Sequence, residues 1–157
     1  LIALIAEKAR QHSVLAQQIK VEVTERGFID VPKTTPVIQA FRQAGFEVAI
    51  DDFGTGYSNL HNLYSLNVDI LKIDKSFIDT LTTNSTSHLI AEHIIEMAQS
   101  LHLKAIAEGV ETADQVNWLF KRGVQYCQGW YFAKAMPPQA FIQWLQQSPA
   151  LLMQRGQ

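Results

Sequence analysis

This sequence has little that would cross-link it, divide it or anchor it. One cysteine in 157 residues, Cys127, excludes an internal disulfide and suits a reducing compartment. No Ser-, Pro- or Gly-rich linker and no charge run separates one part from another, so one domain, or part of one, is the default. Basic residues are not clustered. The 13 Lys and Arg against 15 Asp and Glu give a formal net charge of −2, which offers no electrostatic footprint for DNA or RNA. A nucleotide bound here would need metal ions to supply positive charge. The apolar opening "LIALIA" runs at once into Glu7, Lys8 and Arg10. It is too short to span a bilayer, lacks the basic leader of a signal peptide, and reads as amphipathic helix. The chain opens on Leu1, not Met, and reads as a fragment of something longer. Asn84-Ser85-Thr86 matches the glycosylation sequon, but so short a pattern is common, and the stretch reads as a helix start.

What is present is a series of short, branched apolar runs. Val21–Val23, Val48–Ile50, Ile70–Ile73 and Lys104–Ala107 have the character of strands buried on both faces of a parallel sheet, with Val124–Cys127 as a weaker fifth. Helical periods lie between them. Thr35 as N-cap, Pro36 at the first helical position, the stripe Val37, Ile38 and Phe41, and Gly45 as C-cap predict one helix. Ile90, Ile94, Met97, Ala98 and Leu101 predict a second, with Glu92, His93 and Glu96 facing outward. Thr112 and Gln115 form a capping box opening a helix through Val116, Leu119 and Phe120 that stops at Gly123, and Pro138 opens a last one carrying Phe141, Trp144 and Leu145. Strand, loop and helix in alternation imply right-handed βαβ units, an α/β fold. No Gly-rich dinucleotide fingerprint follows any strand, and Gly54-Thr55-Gly56 sits behind two aspartates, so a barrel is favoured over an open Rossmann-like sheet.

Each apolar run ends in charge. In a (β/α)8 barrel the carboxyl ends of the strands converge on one face, which places Glu22 and Glu25, Asp51 and Asp52, Lys72 and Asp74, Glu108 and Glu111, and Gln128 around one rim. So many carboxylates cannot all stay ionised there without counter-charge. Either several are protonated or cations sit among them. With no His or Cys at these strand ends the donor set is all oxygen, which favours Mg2+ or Mn2+ over zinc. Neighbours Asp51 and Asp52 point to opposite sides of an extended strand unless the strand is already breaking. Two ions roughly 3.5 to 4 Å apart are the arrangement that stabilises attacking and leaving oxygens in phosphodiester hydrolysis, and Lys72 can hold the water or offset phosphoryl charge. Taken singly, Asp52 or Glu111 can be a helix cap and Lys72 a solvated surface group. His12, His61, His88, His93 and His102 show no metal spacing, Trp118, Trp130 and Trp144 read as packing residues, and Cys127 as a small hydrophobe in the wall. The joint pattern outweighs these single readings, because chance rarely puts acids at the same end of four successive strands.

"VEVTE", "DDFGTGYSNL", "LKIDKSFI", "AEGVET" and "QGWYFAKAMP", in this order, resemble the EAL-domain phosphodiesterases that hydrolyse cyclic di-GMP to the linear dinucleotide pGpG. The resemblance implies a TIM-like (β/α)8 barrel, here incomplete and lacking its first strands, with residues 1–157 as the C-terminal part of one domain. It implies two divalent ions, Mg2+ or Mn2+. Glu22 would be a ligand of the first ion, Asp51 would bridge both and Asp52 would serve the second. Glu108 would bind the second ion or act as general base, and Lys72 would contact the water or phosphate. Glu25 would brace the DDFGTG loop, while Asp74, Glu111 and Gln128 fall near the substrate. The loop from Phe53 to Leu60 resembles the segment that couples the metal site to a homodimer interface, formed by the loop and helix after Asp52. The glutamate of the EAL signature and the asparagine of the following strand have no counterpart in this sequence. The family's setting implies a cytoplasmic domain, attached to a membrane only through an upstream segment. A catalytically silent cyclic di-GMP receptor is the rival reading, to be decided by whether the upstream Glu and Asn exist. An unrelated barrel lyase with a carboxylate metal site shares the rim but leaves "DDFGTGYSNL" unexplained.

Overall fold

The computed structural model describes residues 1–24, 30–54, 63, 65–81 and 87–147. Glu25, the loop residues 55–60 and the sequon at 84–86 lie outside the described residues. Helix α1 (Ile2–Gln11) and a 3-10 turn (Ala16–Gln18) lead into β1 (Lys20–Thr24). There follow α2 (Val31–Gln43), β2 (Glu47–Phe53), β3 (Ile70–Ile73) and the single turn α3 (Lys75–Ile78). The chain continues through α4 (Ser87–Ser100), β4 (Lys104–Ala107), α5 (Ala113–Lys121), β5 (Tyr126–Cys127) and α6 (Pro138–Gln147). The five strands form one parallel sheet in chain order, β1 to β5, the arrangement of a barrel wall.

The sheet carries the core. Val48, Ile50, Ile70, Leu71 and Ile73 are fully buried, as strands covered on both faces require, and Ile38 and Phe41 of α2, Ile94 and Ile95 of α4 and Leu119 of α5 pack with them. Helix ends set the strands in place. α2 closes in a Schellman motif, with Gly45 at φ 89°, Gly45 N donating to Arg42 O (2.9 Å), and Phe46 N donating to Phe41 O (3.1 Å). The rings of Phe41 and Phe46 meet edge to face at 5.9 Å, sealing the turn into β2. α5 ends in the same way at Gly123.

Three sequence expectations need correction. α2 begins at Val31, not at Pro36, because Asp30 caps it by accepting from Lys33 N, Pro32 stands in its first turn, and Pro36 lies inside the helix. Thr35, expected as the cap, instead donates its hydroxyl to Val31 O at 2.8 Å. In α4 the buried stripe is Ala91, Ile94, Ile95 and Ala98, and Ile90 is 48 % exposed, while Glu92 is half-buried against Arg122 at 3.0 Å. In α5 Leu119 turns inward and Phe120 is exposed. The expected capping box is present: Gln115 N donates to Thr112 Oγ1, and Gln115 Oε1 accepts from Thr112 N and Glu111 N.

After β5 the backbone crosses close to β4's exit. Val110 N donates to Gln128 O and Tyr131 N donates to Val110 O, both at 3.0 Å. A Cβ on Gly129 would lie 2.1 Å from Val110 O and 2.3 Å from Val110 N, so only glycine fits there. Gly129→Ala should therefore lower the unfolding free energy by about 1–3 kcal/mol. Gly123→Ala, strained by its φ of 77° but facing only the Gln99 side chain, should cost about 1–2 kcal/mol. Urea titration of both variants checks the order; a Gly129 variant as stable as the parent would remove the close approach from the account.

Candidate active site

The carboxyl ends of β1 to β4 are level in the sheet. Thr24 pairs with Asp51 and Lys72 with Ile106, and Glu108 N donates to Ile73 O. From these ends four side chains converge. Lys72 lies buried, with its Nζ 2.8 Å from Glu22 Oε1, 2.8 Å from Asp51 Oδ1 and 2.7 Å from Glu108 Oε1. Burial works against the lysine's charge, but the three carboxylates around it outweigh that, and its pKa is held above the ordinary lysine value. Burial also raises the Glu108 pKa, with the charges of Asp51 and Glu22 adding to it and Lys72 opposing.

Asp52 joins the group through its backbone. It sits at φ 55°, in the left-handed region, where β2 slips register against β3 between Ile50 and Phe53. The bulge removes the strand alternation that would send neighbouring side chains to opposite faces. Carboxylate oxygens of Asp51, Asp52 and Glu108 can all lie within 4.8 Å of one another. Desolvation and the neighbouring Asp51 and Asp74 charges raise the Asp52 pKa.

These residues fit divalent cations. Asp51 Oδ1 is buried and its hydrogen-bonding capacity is left unfilled, with the Lys72 ammonium 2.8 Å away as its ion-pair partner. Four carboxylates face one ammonium, and every donor is oxygen, the set that hard ions such as Mg2+ and Mn2+ prefer.

The remaining described residues of the predicted set make their contacts outside this cluster, although the Asp74 charge acts on Asp52. Asp74 caps α3, accepting from Ser76 N at 2.9 Å and from the Ser76 hydroxyl. Glu111 pairs with Lys75 at 2.8 Å. Gln128 follows β5 and lines a cavity of about 770 Å³ together with Lys75, Glu111 and Gly109, the residue after Glu108; none of the clustered acids lines it. The expectation that the tryptophans pack holds for Trp118, half-buried under the Arg122 guanidinium at 3.6 Å, and for the half-buried Trp144, but not for Trp130. Trp130 is 65 % exposed with Lys134 above its ring, Trp144 stacks on Phe141 at 6.0 Å, and both line the cavity. Cys127 lines it too, its thiol pushed up to about 11 by burial, and so is a weak nucleophile at neutral pH. Lys75 was not singled out by motif, although it follows Asp74 on the same rim and is a second cation among the acids.

Comparison with known proteins agrees with this geometry. The EAL domain profile matches residues 1–135. A relative from Escherichia coli, the probable cyclic di-GMP phosphodiesterase PdeB, is 47 % identical over 144 residues, 92 % of this chain and 27 % of its own length. This chain thus spans about a quarter of that relative. The crystal structure of the EAL domain of Mycobacterium smegmatis DcpA superposes with a TM-score of 0.85 at 33 % identity, covering 93 % of this chain and 66 % of that one. The Klebsiella pneumoniae BlrP1 complex with manganese and cyclic di-GMP superposes with a TM-score of 0.76 at 29 % identity, covering 85 % of this chain and 34 % of that one. EAL domains are TIM barrels, and the five parallel strands here, in unbroken chain order, are a run of that barrel's wall. By sequence profile, fold and strand-end chemistry together, the chain belongs to the EAL domain family.

Proposed function

We propose that this chain carries the catalytic wall of a metal-dependent phosphodiesterase that hydrolyses cyclic di-GMP to linear pGpG. The observation that carries the reading is the buried Lys72 ammonium held by Glu22, Asp51 and Glu108, with Asp52 brought into the same group by the β2 bulge. The names of the E. coli relative and of the manganese and cyclic di-GMP complex support the substrate and the cofactor.

Asp51, Asp52, Glu22 and Glu108 are the residues that would hold two divalent ions, Mg2+ or Mn2+. When bound, such ions neutralise phosphoryl charge and make water a better nucleophile at neutral pH. The chain's own residues do the rest. Lys72 offers a positioned, permanently charged donor to the water or to a non-bridging phosphoryl oxygen. Glu108, made more basic by burial, either takes a proton from the attacking water or serves as a ligand. Water adds to phosphorus, one bridging P–O bond breaks, and the released oxygen takes up a proton to give the linear dinucleotide. Glu111, Gln128 and Asp74 would lie toward the substrate, and Glu25 would serve the loop after Asp52, as the family resemblance implies. Residues 1–157 then form the C-terminal part of one such domain. Dimerisation through the segment after Asp52 and a cytoplasmic location belong to the same proposal. No helix among the described residues is long and apolar enough to cross a membrane.

Two outcomes test this reading. In the complete domain, Lys72→Ala and Glu108→Ala should each lower cyclic di-GMP turnover by roughly 10²-fold or more, with circular dichroism unchanged, as expected when a positioned catalytic group is lost. Retained turnover removes the role of that residue, and binding without turnover in the parent protein makes it a receptor. Independently of activity, Mn2+ at about a hundredfold over its Kd should raise stability by about 2.7 kcal/mol, reversed by EDTA. Asp51→Asn, which removes the carboxylate charge at that position, should abolish most of that gain. A melting temperature indifferent to Mn2+ in the parent protein would count against a metal site.

A further inference from the structure

The feature left over from the metal cluster is Lys75, the first residue of α3. Its ammonium lies 2.7 Å from Asp79 Oδ1, 2.8 Å from Glu111 Oε1 and 3.5 Å from Gly109 O. The Asp79 contact is an ordinary helix-surface ion pair of small worth. The other two are not local, because they cross from the exit of β3 to the exit of β4, 34 and 36 residues further along. The side-chain stem makes the crossing specific. A Cβ built on Gly109 would fall 2.3 Å from Lys75 Cγ, 2.6 Å from Cδ and 2.7 Å from Cβ, so the lysine lies directly across the glycine backbone, in space that any other residue would fill. Gly109, at φ 67°, is the residue immediately after Glu108. Lys75, Gly109 and Glu111 all line the cavity, which Gly109 joins to Glu108 through the chain.

We propose that Lys75 is a positioning residue for the nucleotide pocket: its stem strapped over Gly109 and its ammonium on Glu111 fix the 108–111 segment and cancel the one carboxylate on the cavity wall. This inference rests on the phosphodiester substrate proposed above. An anionic dinucleotide entering a cavity with an unpaired Glu111 meets like charge, whereas a paired Glu111 keeps an acceptor oxygen for base N–H groups without that repulsion. The cavity's other charged wall residue, Lys134, is held over Trp130 at 4.8 Å and has the same sign as Lys75. With Glu111 neutralised, the cavity presents cationic and aromatic surface, which suits a purine nucleotide.

The test separates binding from chemistry. Cyclic di-GMP is titrated into the native full-length protein in EDTA, where no metal-dependent turnover occurs, and binding is followed by fluorescence of the cavity tryptophans Trp130 and Trp144. Lys75→Met keeps the stem over Gly109 and removes only the ammonium. It should weaken Kd by roughly tenfold or more, the scale of one lost charge-assisted hydrogen bond. With Mn2+ present KM should rise by a similar factor while kcat stays within about threefold, the pattern of lost uniform binding. Lys75→Arg should restore both. Unchanged Kd in Lys75→Met, or an equal loss in Lys75→Arg, overturns the proposal; so does a fall in kcat at unchanged Kd. If the parent protein binds in EDTA but never turns over, the phosphodiesterase reading fails while the Kd comparison still decides the role of Lys75. If the parent does not bind at all, both fall.

Discussion

The whole strand-end face is organised around one buried ammonium. Lys72 stands on β3, between the strands that carry Glu22 and Asp51 on one side and Glu108 on the other, and among the described residues it is the only cation that touches all three. Its position follows from the register of four parallel strands rather than from any local motif. The core residues flanking it, Leu71 and Ile73, are fully buried and lock that register. Packing therefore does chemistry here indirectly: the apolar contacts of β2, β3 and β4 decide how close the carboxylates come, and Lys72 makes that closeness tolerable.

The second constraint is the left-handed residue at Asp52. A regular strand would have aimed Asp51 and Asp52 at opposite faces of the sheet, and only one could have reached the cluster. The register slip against β3 turns the chain so that both contribute. A non-glycine residue at positive φ is costly unless its surroundings require it, and aspartate tolerates that region better than most residues. The penalty is accepted at the position where a pair of adjacent carboxylates is useful, which is where strain of this kind tends to be found.

Much of this was legible in the sequence because it is carried by short-range signals. Ile70–Ile73 and Lys104–Ala107 are strands with the predicted ends, since branched apolar runs bounded by charge leave few alternatives. Glu22, Asp51, Lys72 and Glu108 could be placed on one rim from topology alone. What escaped was set by tertiary contact or by backbone geometry. Pro36 imitates a helix start, yet the stronger cap at Asp30 with Pro32 behind it starts α2 five residues earlier. Ile90 matches the apolar period of α4, but the sheet covers the Ile94 and Ile95 side of that helix. Whether Asp51 and Asp52 converge depends on a bulge that no residue pattern announces. Lys75 reaches Glu111 only because Gly109 leaves room, a relation between residues 34 positions apart.

Charge sits at both ends of the strands, and the two ends treat it differently. At the amino ends, Glu47 of β2 pairs with Lys20 and Lys104, and Asp69 before β3 accepts from Arg42 and from Val48 N. Cations there equal or exceed anions. Burial tends to raise the Glu47 pKa, but its two lysines overcome that and hold it below the usual carboxylate value. At the carboxyl ends three carboxylates share Lys72 with Asp52 beside them, and the pKa values of Asp52 and Glu108 are pushed up instead. A protein selecting only for stability has no reason to leave one end of the same sheet neutralised and the other in anionic excess, because like charges in a cleft oppose folding. The asymmetry sets paired-off amino ends against carboxyl ends left in anionic excess, the charge pattern on which the proposal of bound cations rests. In a barrel that division is general: the face that is paired off holds the fold, and the face left electrically incomplete is where ligands complete it.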